Sequence, residues 1–492
     1  MRNPGPAATT IRRPTGPTRA LRRLWFVSGW FVAGAMVVFA SILREASLDD
    51  SAGDLISRGL PAYLVACVAY ALAAWNVPSR VRPAGSSVGR GRAQAAVALL
   101  WILVVAAAIR ISVWFAPAVA GSDYYRYLWD GAVAASGENP YDAAPQEVVE
   151  HAETLPPRVA ELSHPGREVL AGINHPELRT LYPPGAQAMF ALAHRVAPFD
   201  LLGWRLVLLA ADIAAAVAVA LIAARRPGAP TERSLILYMW NPLIVLETYF
   251  GCHLDLAAAA LTLIALSAAD RGRMATGAVF LALAAGIKVW PVLMIGLLLR
   301  TAQGDRARLV RGIVVFGIVS GPIAIAYASA FTAGDSGARF YAAGWHANAG
   351  VYTVLERAMQ AVGLSRIAAE RTVRAALAGA TVGYAFWIAR RPVRDGDDLY
   401  VRAGIVVLVM LLLSPTLYPW YALALIPLAA VRPLPSRLAW TFLLPAVYLA
   451  ADGWLGQRFI PVLVHAPVWL LLLCELRRGS NGRRNTRSLT HA

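Results

Sequence analysis

One run of eleven residues, Gly121-Ser122-Asp123-Tyr124-Tyr125-Arg126-Tyr127-Leu128-Trp129-Asp130-Gly131, sets two carboxylates seven positions apart with an arginine and three tyrosines between them. If the run is helical, Asp123 and Asp130 lie two turns apart on one face, with Tyr127 between them and Arg126 adjacent. A carboxylate so placed can take a proton from a hydroxyl. An arginine with tyrosines can hold a phosphate or a sugar ring. The competing reading is structural: an aromatic belt at a membrane surface, with Asp123 as a helix N-cap.

Other reactive side chains recur in short motifs further along. Ile173-Asn174-His175-Pro176-Glu177 and Thr180-Leu181-Tyr182-Pro183-Pro184 follow an acidic, proline-containing stretch. His175 could bond a phosphate or orient a carboxylate, or be a satisfied loop histidine. Cys252-His253-Leu254-Asp255 falls where two apolar segments meet, so His253 and Asp255 need polar partners there, or Asp255 caps the next helix. Trp345-His346-Ala347-Asn348 and the run from Ser414 to Tyr421, with Tyr418 and Trp420, offer rings for stacking on a sugar or for anchoring at an interface. Lys288, the sole lysine, sits inside the apolar run Gly286-Ile287-Lys288-Val289-Trp290-Pro291. An intramembrane cation is a candidate phosphate ligand, unless it snorkels to the surface.

The elements that must position these groups are membrane helices. The 492 residues are 58% hydrophobic and 15% charged, with a mean hydropathy of +0.53, too apolar for a soluble globular chain. The net charge of +17 comes from arginines clustered beside apolar segments, which fits topology rather than nucleic acid. Three distant cysteines indicate neither a disulfide framework nor a zinc site. No phosphate-binding loop or dinucleotide fingerprint stands out, against an ATP-driven pump or a soluble nucleotide-sugar enzyme.

Apolar segments at about 24–43, 56–76, 94–117, 203–223, 234–250, 254–269, 312–330, 374–390, 400–416, 419–431, 437–453 and 460–475 predict an all-α polytopic fold of about 12 crossings. The stretch 274–299 has basic flanks on both sides, which predicts a hairpin of two half-helices meeting near Lys288. Residues 351–373 read as an interfacial amphipathic helix. The expected organisation is a disordered basic N-terminus over 1–23, a transmembrane domain over 24–476 and a basic tail over 477–492. The alternation of basic loops places both termini in the cytoplasm and the large loop 118–200 outside. Six of the eight histidines fall in or beside outer segments, which suggests an aqueous cavity on that face.

Taken in order, these motifs resemble the GT-C superfamily of membrane glycosyltransferases, especially glycosyltransferase family 87 and the actinobacterial polyprenyl-phosphate-mannose-dependent mannosyltransferases. The resemblance covers about 95–475 and rests on Ser122–Gly131, Asn139-Pro140-Tyr141, His175-Pro176, Tyr182-Pro183-Pro184, His253-Leu254-Asp255, Lys288 with Pro291, and Ser414-Pro415 with Tyr418-Pro419-Trp420. It implies an inverting transfer from a polyprenyl-phosphate sugar to a glycolipid or glycan at the outer face of the plasma membrane, without a nucleotide or other cofactor. Metal dependence stays open, since Asp123, Asp130 and loop carboxylates could hold a divalent ion as in some GT-C members, although the polyprenyl-phosphate-mannose users do not need one. Asp123 would be the catalytic base, and Arg126, Lys288 or His346 would neutralise the leaving phosphate. Asp130, Tyr127, His175, Tyr182, His253, Asp255, Trp345, Tyr418 and Trp420 would complete the substrate site. One departure is that two spans precede the one before the large loop, where many GT-C members have none. The donor sugar stays open between mannose and another polyprenyl-linked sugar such as arabinofuranose. A transporter or flippase for a lipid-linked saccharide is the rival from another class. It would want polar residues through the membrane depth and a repeated architecture, neither of which is evident.

Overall fold

The computed structural model describes residues 19–45, 52–77, 88–118, 121–226, 230–332, 334–451 and 459–488. The N-terminal run to residue 18, the links 46–51 and 78–87, the segment 452–458 and the last four residues lie outside the described residues. Among the described residues the chain is all α-helical. Its strand-like pairings are isolated bridges, Arg179 with Ser336 and Ala347 with Thr416.

Six described helices are long and apolar enough to cross a bilayer: Arg23–Arg44, Gly53–Trp75, Ala93–Trp114, Leu201–Ala224, Arg306–Phe331 and Ile460–Arg478. The other six expected crossings are built differently. The segment 234–250 is divided into the helices Thr231–Met239 and Pro242–Val245 and a π turn over Leu246–Phe250. The next is one helix, Asp255–Asp270, of 16 residues, about 24 Å long. The segments 374–390 and 400–416 lie in the helices Arg366–Ala389 and Gly396–Leu413, which begin with charged residues. Residues 419–431 form a 3-10 turn, Pro419–Ala424, and the helix Ile426–Val431, and 437–451 are three short helices. Prolines at 242, 419, 427 and 435 explain much of this, since each removes a backbone donor and crowds the preceding turn. The irregular backbone is tolerated because protein surrounds it: residues 240–250 are all buried.

Residues 274–299 form the expected half-helices. Met274–Ile287 ends at Lys288, whose backbone is extended, and the chain continues through the turn Trp290–Met294 into Ile295–Arg300. Both feet of this hairpin reach the same end of the molecule, where Gly272 lies beside the Arg308 guanidinium. Its tip is pressed against the helix Pro184–Val196: a Cβ on Gly185 would come within 2.6 Å of the Gly286 carbonyl oxygen. The expected interfacial helix over 351–373 is split into Val351–Ala361 and the first turns of Arg366–Ala389. The final helix continues to Ser488, past the start of the expected tail at 477.

The main core joins the first three spans to the broken helices after residue 231. A second core under the segment 123–199 packs Tyr127, Trp129, Phe190, Trp204, Leu254 and Ile287 together. Between the third and fourth spans lies a polar knot. Arg110 pairs with Asp212 through Nε at 2.6 Å and Nη2 at 3.1 Å, and the hydroxyls of Tyr238 and Tyr249 donate to the same carboxylate at 2.8 and 2.7 Å. The three cysteines are free, Cys67 and Cys252 buried and Cys474 exposed.

Candidate active site

The run that opened the sequence argument is a helix, Asp123–Ala135. Asp123 is its first helical residue rather than its cap: the N-cap is Ser122, and no side chain caps the end. The Asp123 carboxylate points away from the helix end instead. Oδ1 accepts from Asn174 Nδ2 at 3.1 Å and Oδ2 from the Tyr182 hydroxyl at 3.4 Å. Burial, and next the Asp123 charge, push the Tyr182 phenol well above its ordinary value, so this hydroxyl stays protonated and donates.

Asp123 lines a cavity of about 560 Å³. Arg126, His175, Tyr182, Asp255, Lys288, Trp345, Tyr418 and Trp420 line it too, so nine of the thirteen residues named from sequence share its wall. They come from loops far apart in the chain, and two main-chain pairings stitch those loops together. Arg179 N donates to Asp335 O at 3.0 Å and Gly337 N to Arg179 O at 3.1 Å, while Ala347 N and Leu417 N tie the loop around Trp345 to the one before Pro419. Apolar side chains, among them Val289, Phe331, Met410 and Leu411, also line the cavity.

Lys288 stands at the hairpin tip with its Nζ 3.3 Å from Asp255 Oδ1 and over the rings of Tyr182 and Tyr421 at 5.9 and 5.6 Å. It faces the cavity and does not snorkel to the opposite surface. Asp255, like Asp123, is the first residue of its helix and makes no cap. Its Oδ2 is buried without a hydrogen-bond partner. Trp345 Nε1 donates to the Tyr418 hydroxyl at 3.0 Å. Tyr418 stacks on Trp420 with centroids 4.4 Å apart, and Trp420 stacks on His253 at 3.9 Å.

Four residues named from sequence do not reach the cavity wall. His253 is fully buried behind Trp420, with Nδ1 3.2 Å from Glu247 Oε2; Glu247 is fully buried as well and accepts from Tyr448. Tyr127 is packed between Tyr182, Phe190 and Trp204. Asp130 is buried under the helix, where it accepts from Gln187 Nε2 at 3.1 Å, and burial raises its carboxyl above the ordinary range. His346 points outward, exposed, its Nδ1 3.1 Å from Gly344 O. Arg126 lines the cavity but is 7% exposed, and its Nη2 donates to the carbonyls of His175 at 2.9 Å and Asn174 at 3.5 Å. Its charge is thereby partly committed to main chain.

Sequence reading passed over Asn174, Arg179, Tyr341 and Tyr421, which line the cavity. Asn174 and Tyr421 each stood inside a motif already named, beside His175 and beside Trp420. Arg179 is spent on Asp335 at 2.8 Å and Glu147 at 3.6 Å, which gives it a bracing role between loops. Asp212 and Glu247 were also missed. Each is an acid inside an apolar segment, the same signal that drew attention to Lys288. Among the described residues no three His, Cys, Asp or Glu side chains form a group able to hold a metal ion.

Six helices long and apolar enough to cross a bilayer define an integral, multi-pass membrane protein, and its cavity brings carboxylates, a lysine and aromatic rings together. Residues 180–415 match glycosyltransferase family 87, and this stretch is a family 87 domain of the GT-C membrane type. The chain therefore carries a glycosyltransferase domain of the membrane type over that stretch. The matched region includes Tyr182, His253, Asp255, Lys288 and Trp345; Asp123 precedes it, and Tyr418 and Trp420 follow it. No curated protein and no solved structure matches the chain.

Proposed function

We propose that this protein transfers a sugar, mannose in the first instance, from a polyprenyl-phosphate donor to a glycolipid or glycan acceptor at the outer face of the plasma membrane. The observation that carries the reading is a carboxylate, Asp123, fixed from both oxygens in the wall of a cavity that also presents the ammonium of Lys288. The acceptor hydroxyl oxygen forms the new bond to the anomeric carbon while Asp123 takes its proton. On the opposite face the bond from that carbon to the phosphate oxygen breaks, and the phosphate leaves with the electron pair, so the anomeric configuration inverts. Negative charge on the phosphate rises as this happens, and Lys288 offsets it. Trp345 and Tyr418 provide ring faces for the sugar, and Trp420, covered on both faces by Tyr418 and His253, backs that wall. The apolar lining residues Val289, Phe331, Met410 and Leu411 suit the first isoprene units of the carrier.

Support for the outer face comes from the end at which the cavity lies. The helices Leu201–Ala224 and Asp255–Asp270 both run from the cavity end to arginine-rich turns, at Arg225 and Arg271. At that far end Asp397 pairs with Arg226 and Arg432, the distribution expected of a cytoplasmic surface.

The test is transfer of radiolabel from synthetic polyprenyl phosphate mannose to a membrane lipid extract, by purified protein and by Asp123→Asn, in detergent with chelator present. Transfer by the unaltered protein alone is the expected result. Transfer from polyprenyl phosphate arabinose but not from the mannose donor would change the sugar and keep the mechanism. Absence of transfer from either would overturn the reading and favour a lipid-linked-saccharide flippase.

A further inference from the structure

The segment that joins the outer helices to the cavity runs from Gly172 to Tyr182, and helix Asp123–Ala135 grips it in two successive places. The Tyr125 ring packs on Gly172, where an added Cβ would meet ring atoms at 2.6 Å. One residue further along the helix, buried Arg126 donates to the main-chain carbonyls of Asn174 and His175. At His175 the backbone is left-handed, with φ 51°, a conformation that a residue with a side chain adopts uncommonly. The turn separates two neighbouring side chains. The His175 ring goes to Glu177, at 3.2 Å, and to the edge of Trp345, while the Asn174 amide goes to Asp123 Oδ1.

We infer that Asn174 is the positioning residue for the Asp123 carboxylate, held in register by the Arg126 grip on its main chain. The inference rests on the reading of Asp123 as the base. Asn174 and Tyr182 hold one oxygen each, which restrains the carboxylate's rotation where it lines the cavity. A free carboxylate would rotate about its χ2 bond, whose well is broad, and would spend part of its time misaligned with the attacking hydroxyl. Neutral donors suit this task, because they restrain the anion without neutralising it as an arginine would. Asn174 itself touches no reacting atom in this scheme, so its removal lowers the rate of the chemical step and leaves substrate binding in place.

The experiment compares Asn174→Ala, Asn174→Asp and Asp123→Asn in the transfer assay, with a thermal melt in detergent for each. Asn174→Ala is expected to lower kcat about tenfold to hundredfold with both KM values within about threefold, a split a merely structural residue would not give. Asn174→Asp keeps the shape but sets two carboxylates side by side. Its activity is expected to be lower than that of Asn174→Ala at neutral pH and to recover as the pH falls, when the pair shares one proton and the protonated partner again donates to the other. In the double variant with Asp123→Asn, loss of Asn174 is expected to add less than twofold, because there is no base left to aim. An Asn174→Ala protein with unchanged kcat, or with a raised KM alone, overturns the inference. So does an Asn174→Asp protein without acid recovery. If Asp123→Asn itself retains activity, the base assignment fails first, and the Asn174 result then reads on that failure alone.

Discussion

Two polar clusters occupy this membrane domain, and they are built on opposite plans. Around Asp212 every interaction is closed: one carboxylate takes two nitrogens of Arg110 and two tyrosine hydroxyls, with 2% of Asp212 exposed and Arg110 also donating to Met239 O at 2.7 Å. Around Asp123, Asp255 and Lys288 the groups are only partly satisfied. Asp255 keeps an unpartnered buried oxygen, Lys288 meets a single carboxylate, and all three face an open volume. Desolvated charges have to be compensated, so full closure marks a cluster that holds helices together. Partial closure at a cavity marks one that awaits a ligand to complete it. The comparison teaches that intramembrane charge alone does not announce a site. What separates the two clusters is how many bonds are left over.

The largest effect should come from opening the closed cluster. Asp212→Ala strands the Arg110 guanidinium between two spans, at a cost of about 3–5 kcal/mol. The expected result is little monodisperse protein on size-exclusion chromatography, and a well-folded, active Asp212→Ala protein would contradict the contrast drawn here. Next is Asp123→Asn, which should reduce transfer by about a thousandfold, within the range attributed to a general base, with an unchanged melting temperature. A melt lowered as far as that of Asp212→Ala would move Asp123 into the structural class.

Sequence pattern carried a good part of this contrast. The six continuous spans are legible because each is a long, predominantly apolar run between charged or turn residues, and the hairpin is legible because its two flanks are both basic. The broken segments after residue 231 are not. Their apolar content is that of a span, and only the tertiary burial of Pro242, the π turn and Pro419 allows the backbone to leave helical form there. Within the site, Asp123, Lys288 and Asp255 were readable from charge at membrane depth. Sequence could not tell that Asp130, on the same helical face as Asp123, turns inward to Gln187, or that His346 turns outward, because helical phase does not say which neighbour covers a face. Asn174 was overlooked because an amide in a proline-rich loop has no distinguishing pattern until its partner is known.

The third effect concerns the donor. Lys288→Met should lower kcat/KM for the donor about tenfold to hundredfold, the worth of one charge-assisted hydrogen bond, through a raised donor KM and, because the phosphate charge grows in the transition state, a lowered kcat, measured by varying synthetic donor at saturating acceptor. It also leaves Asp255 without its cation, so the double variant with Asp255→Asn should melt higher than Lys288→Met alone while its KM stays high. A double variant with normal KM would mean that the phosphate is held elsewhere in the cavity.

The smallest effect should be that of Asp130→Asn, and it separates the two acids of one helix. Asp130 is buried, and desolvation is the largest influence on it, raising its carboxyl above the usual range despite opposing contributions from Arg126, Thr180 and Gln187. A group that holds its proton more tightly when folded contributes stability that is fully present below the unfolded value and is lost as the pH rises through the folded one. Asparagine cannot ionise, so it does not lose that contribution. The melting temperature of Asp130→Asn relative to the unaltered protein should therefore be higher at pH 8 than at pH 4, with transfer activity within about twofold. If activity instead fell as it does for Asp123→Asn, with the fold intact, the inward acid would belong to the open cluster after all, and the line between the two plans would have to be redrawn through this helix.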